Sequence, residues 1–337
     1  MTSRPDWGEK TSALEVAKAY AEQIKQRNVL ITGVAPSGVG EGTALAFASQ
    51  GPKTLILVSR TPEKVEAVAA SARALYPDVR VRVVIMDLSS QASIRRAAAE
   101  VAEQVDALDV LVNNAGATYR LRRRTAEGIE MQFGANHVGP FLFTALLFPL
   151  LRRAAAENAP GATRIVNLAS HGHRCSPIRF HDYNVENKEG LVLPEEERPP
   201  AFLTGPFAKV QDDGYMSVVA YGQSKTANIL FTLYLQRHLK DTGIVSYAVH
   251  PGGVKTHLGR EHDEETAAAI EKTSAYWKTP DEGASTSLVA ALDPKLSGLY
   301  LADCQFVDAA AHAQNYEVAE RLWKLSEELA GEKFTIG

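Results

Sequence analysis

Residues 28–51 read NVLITGVAPSGVGEGTALAFASQG. The run Asn28–Thr32 is apolar and β-branched, which predicts a buried strand. Gly33, Gly38 and Gly40 break it, and the segment after them (EGTALAFASQG) carries apolar residues at helical spacing. A strand that turns through glycines into a helix aims the unpaired N–H groups of the first helical turn at one point, which suits an anion. Glycine lets the backbone turn tightly and approach a pyrophosphate closely, so Gly33, Ser37, Gly38, Val39 and Gly40 are candidate contacts for a dinucleotide. A Walker-type phosphate loop would need lysine at position 39, where this chain has Val39, and nucleotide triphosphate hydrolysis is disfavoured. The plain alternative is a turn that needs positive φ values and binds nothing.

Working outward, further strands are predicted at Thr54–Val58, Val81–Met86, Asp109–Asn113, Arg164–Leu168, Val245–Val249 and Leu299–Leu301. Alanine-rich helical patterns such as Pro62–Leu75 and Ser93–Gln104 separate them. Strands alternating with helices imply right-handed crossovers and a parallel sheet covered on both faces. The expected fold is α/β: a single Rossmann-type, doubly wound domain with a seven-stranded parallel sheet. Residues 1–27 read as an N-terminal helical extension, with an amphipathic helix over 11–27, and residues 28–337 as the main domain. The Pro-, Gly- and charge-rich stretch 176–215 is too long for a simple connection and reads as an insertion beside the site.

The chain has 337 residues, 45% of them apolar, a net charge of −4 and a pI of about 6.2. A core is affordable at that composition, and nothing suggests a general polyanion binder. The short basic run Arg120–Arg124 reads mainly as solvated loop. Two cysteines, Cys175 and Cys304, are too few for a disulfide framework and suit a reducing compartment. The most apolar run, Val138–Leu151, is short and holds two prolines, so no membrane span is expected. Without an apolar signal core at the N-terminus, a cytoplasmic location is the expectation.

Chemistry is carried by two further segments. At the end of the second strand, an acid would hydrogen-bond the adenosine ribose hydroxyls and repel a 2′-phosphate; this chain has Ser59 and Arg60 instead. A guanidinium can clasp that phosphate bidentately, so NADP(H) is expected over NAD(H). The second segment is Tyr221-Gly-Gln-Ser-Lys225. Residues at i and i+4 share a helix face, which brings a phenol and an ammonium into one space. The cation favours phenolate and makes the tyrosine a workable acid/base near neutrality.

These motifs, with others in the same order, make the chain resemble the short-chain dehydrogenase/reductase family over roughly residues 28–308. Asp87-Leu88 looks like the pair that contacts adenine. Asn113-Asn114-Ala115-Gly116 matches the family's motif at the end of the fourth strand. Asn136 in GANHVGPF matches the active-site asparagine, and Ser170, closing RIVNLAS, matches the catalytic serine. His250–Thr256 matches the loop that holds the nicotinamide carboxamide. RIVNLAS, NHVGPF and HPGGVKTHL make the resemblance one to the retinol-dehydrogenase-like branch. It implies a catalytic set of Asn136, Ser170, Tyr221 and Lys225. It implies cofactor contacts from Asn114, Ala115, Gly116, Tyr221, Lys225, Pro251, Gly252, Val254 and Thr256 in addition to those already named. Tyr221 would exchange the proton with the substrate oxygen, and Ser170 would hydrogen-bond that oxygen. Lys225 would hold the nicotinamide ribose and lower the Tyr221 pKa, and Asn136 would place a relay water.

Two features depart from the family pattern. Four residues separate Gly33 and Gly38, where three are usual. Ser170 and Tyr221 stand 51 positions apart, because the 176–215 insertion lies between them, and it is expected to form a substrate lid. The cluster His171-Gly-His173-Arg-Cys175 reads as loop or pocket lining, with no metal expected. Tyr119, Phe180, Phe202, Phe207, Tyr276 and Trp277 lie in segments flanking the site, which favours an apolar or aromatic small molecule. The expected activity is NADP(H)-dependent interconversion of a carbonyl and an alcohol, running as a reductase. The alternatives are a non-redox isomerase or cyclase, or an NADP(H)-sensing protein, on the same fold. The partner expected is the small-molecule substrate, with no nucleic acid; the resemblance implies a homodimer paired through two helices, which the long insertion and the extra helix could block.

Overall fold

The computed structural model describes residues 2–336. Its centre is one sheet in the order β3-β2-β1-β4-β5-β6-β7-β8. The strands are β1 (Asn28–Thr32), β2 (Thr54–Ser59), β3 (Arg80–Ile85), β4 (Val110–Asn113), β5 (Thr163–Leu168), β6 (Ile244–His250), β7 (Tyr300–Ala302) and β8 (Gln305–Phe306). All neighbours pair in parallel except β7 and β8. The sheet therefore has eight strands rather than the seven predicted. The eighth is a two-residue edge strand, reached through Asp303 and Cys304, both at positive φ. Such a tight turn ordinarily signals itself with Asn or Gly.

The helices are α1 (Ala13–Ala19), α2 (Val39–Ala48), α3 (Pro62–Leu75), α4 (Gln91–Gln104), α5 (Met131–Phe133), α6 (Gly139–Glu157), α7 (Ser217–His238), α8 (Glu264–Glu271), α9 (Pro280–Leu292) and α10 (Tyr316–Ala330). Buried side chains of α1, α2, α3 and α9 cover one face of the sheet, and those of α4, α6, α7 and α10 cover the other. Two covered faces explain why β1, β2, β4 and β5 are buried nearly throughout.

The N-terminal helix is shorter than the 11–27 predicted. It stops at Ala19, continues as a single 3₁₀ turn over Ala21–Gln23, and meets Gln26 at φ +62°. It packs on α9 and α2. The stretch Met131–Glu157 is long and apolar enough to cross a membrane, but 83% of its apolar window is buried inside the fold. Here it is a core helix.

Helix α10 lies across α6 and α7. Its Trp323 stacks on Tyr234 at 4.1 Å between ring centroids and meets Phe141 edge-on at 4.8 Å.

Candidate active site

Strand order reverses between β1 and β4, and a cleft of about 410 Å³ opens there at the carboxyl ends of the strands. Its floor is the predicted turn. Gly33 sits at φ +71°, and a Cβ on it would fall 2.5 Å from the Ala115 Cα, so only glycine fits where the two backbones touch. Gly38 begins α2 in extended conformation with no side-chain cap. The first N–H groups of that helix thus face the cleft, beside Ser37, Val39 and Gly40.

At the far end, Ser59, Arg60, Lys64 and Arg260 line the same cleft. The Arg60 guanidinium donates to the Tyr119 hydroxyl at 3.3 Å. Arg123 lies over the Tyr119 ring at 4.7 Å and pairs with Glu261 at 3.0 Å. An uncapped helix N-terminus at one end and three cations at the other suit the phosphates of a dinucleotide. Sequence reasoning missed Lys64 and Arg260. Lys64 carried only a helical-face signal, and Arg260 comes from a loop distant in sequence.

Asp87 and Leu88 also line the cleft. The Asp87 carboxylate accepts from the Ser89 N–H and hydroxyl at 2.9 and 2.7 Å, closing the turn before α4. Asn114 fastens rather than reaches out: its Nδ2 donates to the Thr32 and Gly33 carbonyls at 2.7 and 3.2 Å. Gly116 leaves room for Lys225, since a Cβ there would come within 3.2 Å of Nζ. In the loop after β6, Pro251 and Thr256 line the cleft. Gly252, at φ +92°, packs its backbone on the Lys278 side chain, and Val254 fills the space over Gly283.

The catalytic candidates come together from three elements. Ser170 lies two residues past β5, and its Oγ accepts from the Gly172 N–H at 3.0 Å. The Tyr221 ring packs on Gly172, where a Cβ would fall 2.8 Å from Cε1. A Cβ on Gly222 would likewise fall 2.9 Å from the Gly172 carbonyl. This crossing brings Ser170 and Tyr221 together despite the insertion between them. Burial pushes the Tyr221 phenol above its ordinary pKa, and the Ser170 hydroxyl pulls it partly back. Lys225 is buried, 5.6 Å from the Tyr221 ring centroid, and donates to the Leu168 carbonyl at 3.0 Å. Burial draws its ammonium down to about 8.

Asn136 sits in a π-helical turn, Gly134–Val138, between α5 and α6. Such turns re-aim side chains at functional positions. Its Oδ1 accepts from the Ala117 N–H at 2.8 Å, and its Nδ2 donates to the Ala117 carbonyl at 2.9 Å and the Ser224 hydroxyl at 3.0 Å. Ser224 donates in turn to the Tyr221 carbonyl at 2.7 Å. Asn136 is thereby tied to α7 between the two motif residues.

The histidine cluster divides. His173 is fully buried: Nδ1 donates to the Ser170 carbonyl at 2.6 Å, and Nε2 accepts from the Ala310 N–H at 2.9 Å. Both ring nitrogens are used, so the imidazole is neutral and positions the serine's backbone. His171 stacks on His250 at 4.0 Å. Among the described residues, no three His, Cys, Asp or Glu side chains gather to hold a metal ion. Burial lowers His173 to about 4 and His137 to about 3. The unfolded chain would protonate both near 6.5, so below that pH it binds more protons than the native protein. The thermal midpoint is expected to fall progressively as pH drops from about 6.5 toward 4. A His173→Gln variant should show a flatter decline over that interval by differential scanning fluorimetry.

The basic run proves to be a fastening. Arg122 pairs with Asp213 at 2.8 Å and donates to the Asn184 and Val185 carbonyls at 3.0 Å. Arg124 pairs with Glu186 at 2.6 Å. Inside, Tyr215 donates to the buried Glu130 carboxylate at 2.7 Å. These bonds hold the insertion against the body. Its 205–208 turn packs on α8, and Lys209 pairs with Asp263 at 2.9 Å.

Not all the expected aromatic residues serve the pocket. Phe180 lies under Arg321 at 3.9 Å and the Tyr276 hydroxyl donates to Glu282 at 2.7 Å, whereas Tyr119 lines the cleft beside Arg60.

The short chain dehydrogenase family matches residues 27–184. Retinol dehydrogenase 12 of Mus musculus is 36% identical over 312 residues, covering 92% of this chain and 88% of that protein. The oxidoreductase fscI of Fusarium equiseti is 36% identical over 244 residues, 72% of this chain and 93% of its own. Among solved structures, an uncharacterized Mycobacterium paratuberculosis protein superposes with a TM-score of 0.66 at 30% identity, covering 93% of this chain and 96% of that one. An NADPH-bound carbonyl reductase from chicken fatty liver gives 0.57 at 23% identity, covering 85% and 100%, and shares the fold.

Proposed function

Because the chain belongs to the short-chain dehydrogenase/reductase family, in its retinol-dehydrogenase-like branch, and is an oxidoreductase of alcohol and carbonyl groups, we propose that it is an NADP(H)-dependent carbonyl reductase acting on an apolar or aromatic small molecule. The observation that carries this reading is the meeting of Tyr221 with Ser170 and Lys225 beside a cleft that Tyr221 and Lys225 line and whose far end holds Arg60. The helix α2 N-terminus would hold the pyrophosphate, and Arg60, with Lys64 and Arg260, the ribose phosphate. The nicotinamide, when bound, supplies or accepts the hydride.

The protein's own part is placement and proton movement. Ser170 Oγ donates to the substrate carbonyl oxygen and fixes it against Tyr221. The Tyr221 phenol, kept protonated at neutral pH by burial, releases its proton to that oxygen as negative charge develops there. Lys225, charged below about 8, stabilises the phenolate that remains. Oxidation reverses each transfer. Asn136, locked between the Ala117 backbone and Ser224, holds the π-turn beside Lys225, where a proton returning from solvent would pass.

Titration with NADPH and NADH, followed by nicotinamide fluorescence and an aldehyde and ketone screen, tests the reading. Preferential NADPH binding with turnover is expected; failure to bind either nucleotide would remove the redox assignment. Deleting residues 190–212 tests the insertion as a lid. It should raise the KM for the carbonyl substrate several-fold or more with little change in NADPH affinity, and the reverse ranking would leave the segment without that role.

A further inference from the structure

The Leu168 carbonyl, at the end of β5, accepts two hydrogen bonds from α7: one from Lys225 Nζ at 3.0 Å and one from Asn228 Nδ2 at 2.9 Å. Asn228 follows Lys225 by three residues, on the same face of the helix. It is buried, and nothing in the reaction proposed above uses it. On its other side lies His137, the residue after Asn136 in the π-turn. That imidazole is 1% exposed and enclosed by Phe133, Phe141 and Phe231. Its Nε2 meets the Ser326 hydroxyl of α10 at 2.8 Å, and Ser326 donates to the Leu322 carbonyl at 2.8 Å. With Ser326 spending its proton on Leu322, His137 Nε2 must be the donor. Nδ1 then carries a lone pair in a buried space, makes no hydrogen bond, and lies beside the Asn228 side chain.

We propose that Asn228 is a positioning residue for Lys225, flanked by His137, which Ser326 of α10 anchors, and that it acts by sharing the Leu168 carbonyl with the lysine ammonium. The inference rests on the reading of Lys225 as part of the reactive pair, but its test does not require turnover. A carbonyl divided between an amide and an ammonium attracts the ammonium less than one given to it alone. Asn228 therefore limits how strongly the protein holds the lysine's charge. The other groups facing Lys225 are the Tyr221 phenol on its own helix, uncharged Asn136 and the Gly116 backbone, and His250 at the end of β6, which burial keeps neutral. None of them is a carboxylate, so the shared carbonyl is the principal acceptor available to the cation.

The experiment is an NMR titration of the full-length protein carrying lysine labelled with ¹³C at Cε. The Lys225 resonance is assigned by its loss in Lys225→Met. In the wild-type protein the midpoint should lie at about 8. In Asn228→Leu, which keeps the bulk and removes the competing donor, it should move up by about 0.5–1 pH unit. A wild-type midpoint in a folded Asn228→Leu protein overturns the proposal. Should that variant fail to fold, Ser326→Ala decides in its place: by freeing His137 it should raise the midpoint in the same direction, and an unmoved value overturns the proposal. Loss of melting temperature alone moves neither midpoint. Absence of carbonyl reduction by the wild-type protein would count against the proposed function while leaving this titration to stand or fall separately.

Discussion

Tyr221→Phe is expected to lower kcat for carbonyl reduction by about 10³-fold, with NADPH affinity and melting temperature close to wild type. The substitution removes one oxygen atom and keeps the ring that packs on Gly172. What disappears is the phenol beside Ser170, a proton donor whose pKa burial holds high. The rate through the wild-type protein should also fall as pH rises past about 8, since Lys225 then loses the charge that steadies the phenolate. The sign follows from the lysine: protonated below its midpoint, neutral above it. Stopped-flow single-turnover measurements from pH 6 to about 10 would separate this limb from product release. A Tyr221→Phe protein that retained a tenth of the wild-type rate would remove the tyrosine from the chemistry.

Arg60→Asp is expected to change the ratio of NADPH to NADH affinity by about 10²–10⁴-fold, enough to reverse the preference. A charge-assisted bidentate contact is lost, and a carboxylate is placed where a phosphate would sit. The same carboxylate can accept from the ribose hydroxyls of the unphosphorylated nucleotide, so NADH should gain while NADPH loses. Tyr119, which accepts from Arg60 at 3.3 Å, stays in place under Arg123, and the fold should be undisturbed. Fluorescence titration of both nucleotides reads the ratio directly; an unchanged ratio would assign the preference to Lys64 and Arg260 instead.

The elements legible in the sequence are those whose signal is local. β1, β2, β4 and β5 are short apolar runs because both faces of the sheet are covered, and the glycine turn announces itself because only glycine fits against Ala115. Tyr221 and Lys225 were visible as an i, i+4 pair on a helix. What was illegible depends on partners far away in sequence. Arg122, Arg123 and Arg124 read as a solvated run because Asp213, Glu261 and Glu186 lie some 60 to 140 positions later. Amphipathic spacing after Ala19 suggested that the first helix continues, yet Tyr20 leaves helical geometry and the chain turns toward β1. The π-turn that presents Asn136 left no signature in composition. Val254 and Gly252 matched a cofactor loop by motif, but their places are set by Gly283 and Lys278, which no local pattern announces.

The seating of α10 over α6 and α7 has a consequence for biosynthesis. Residues 316–330 leave the ribosome after every strand of the sheet has been made, while the π-turn near the middle of the chain relies on Ser326 for one of its buried hydrogen bonds. A nascent chain can therefore assemble its sheet and nucleotide cleft well before the turn that carries Asn136 is clamped. During that interval Phe141, Phe231 and Tyr234 lack their Trp323 cover, and the half-made protein offers chaperones an aromatic face that the finished one conceals.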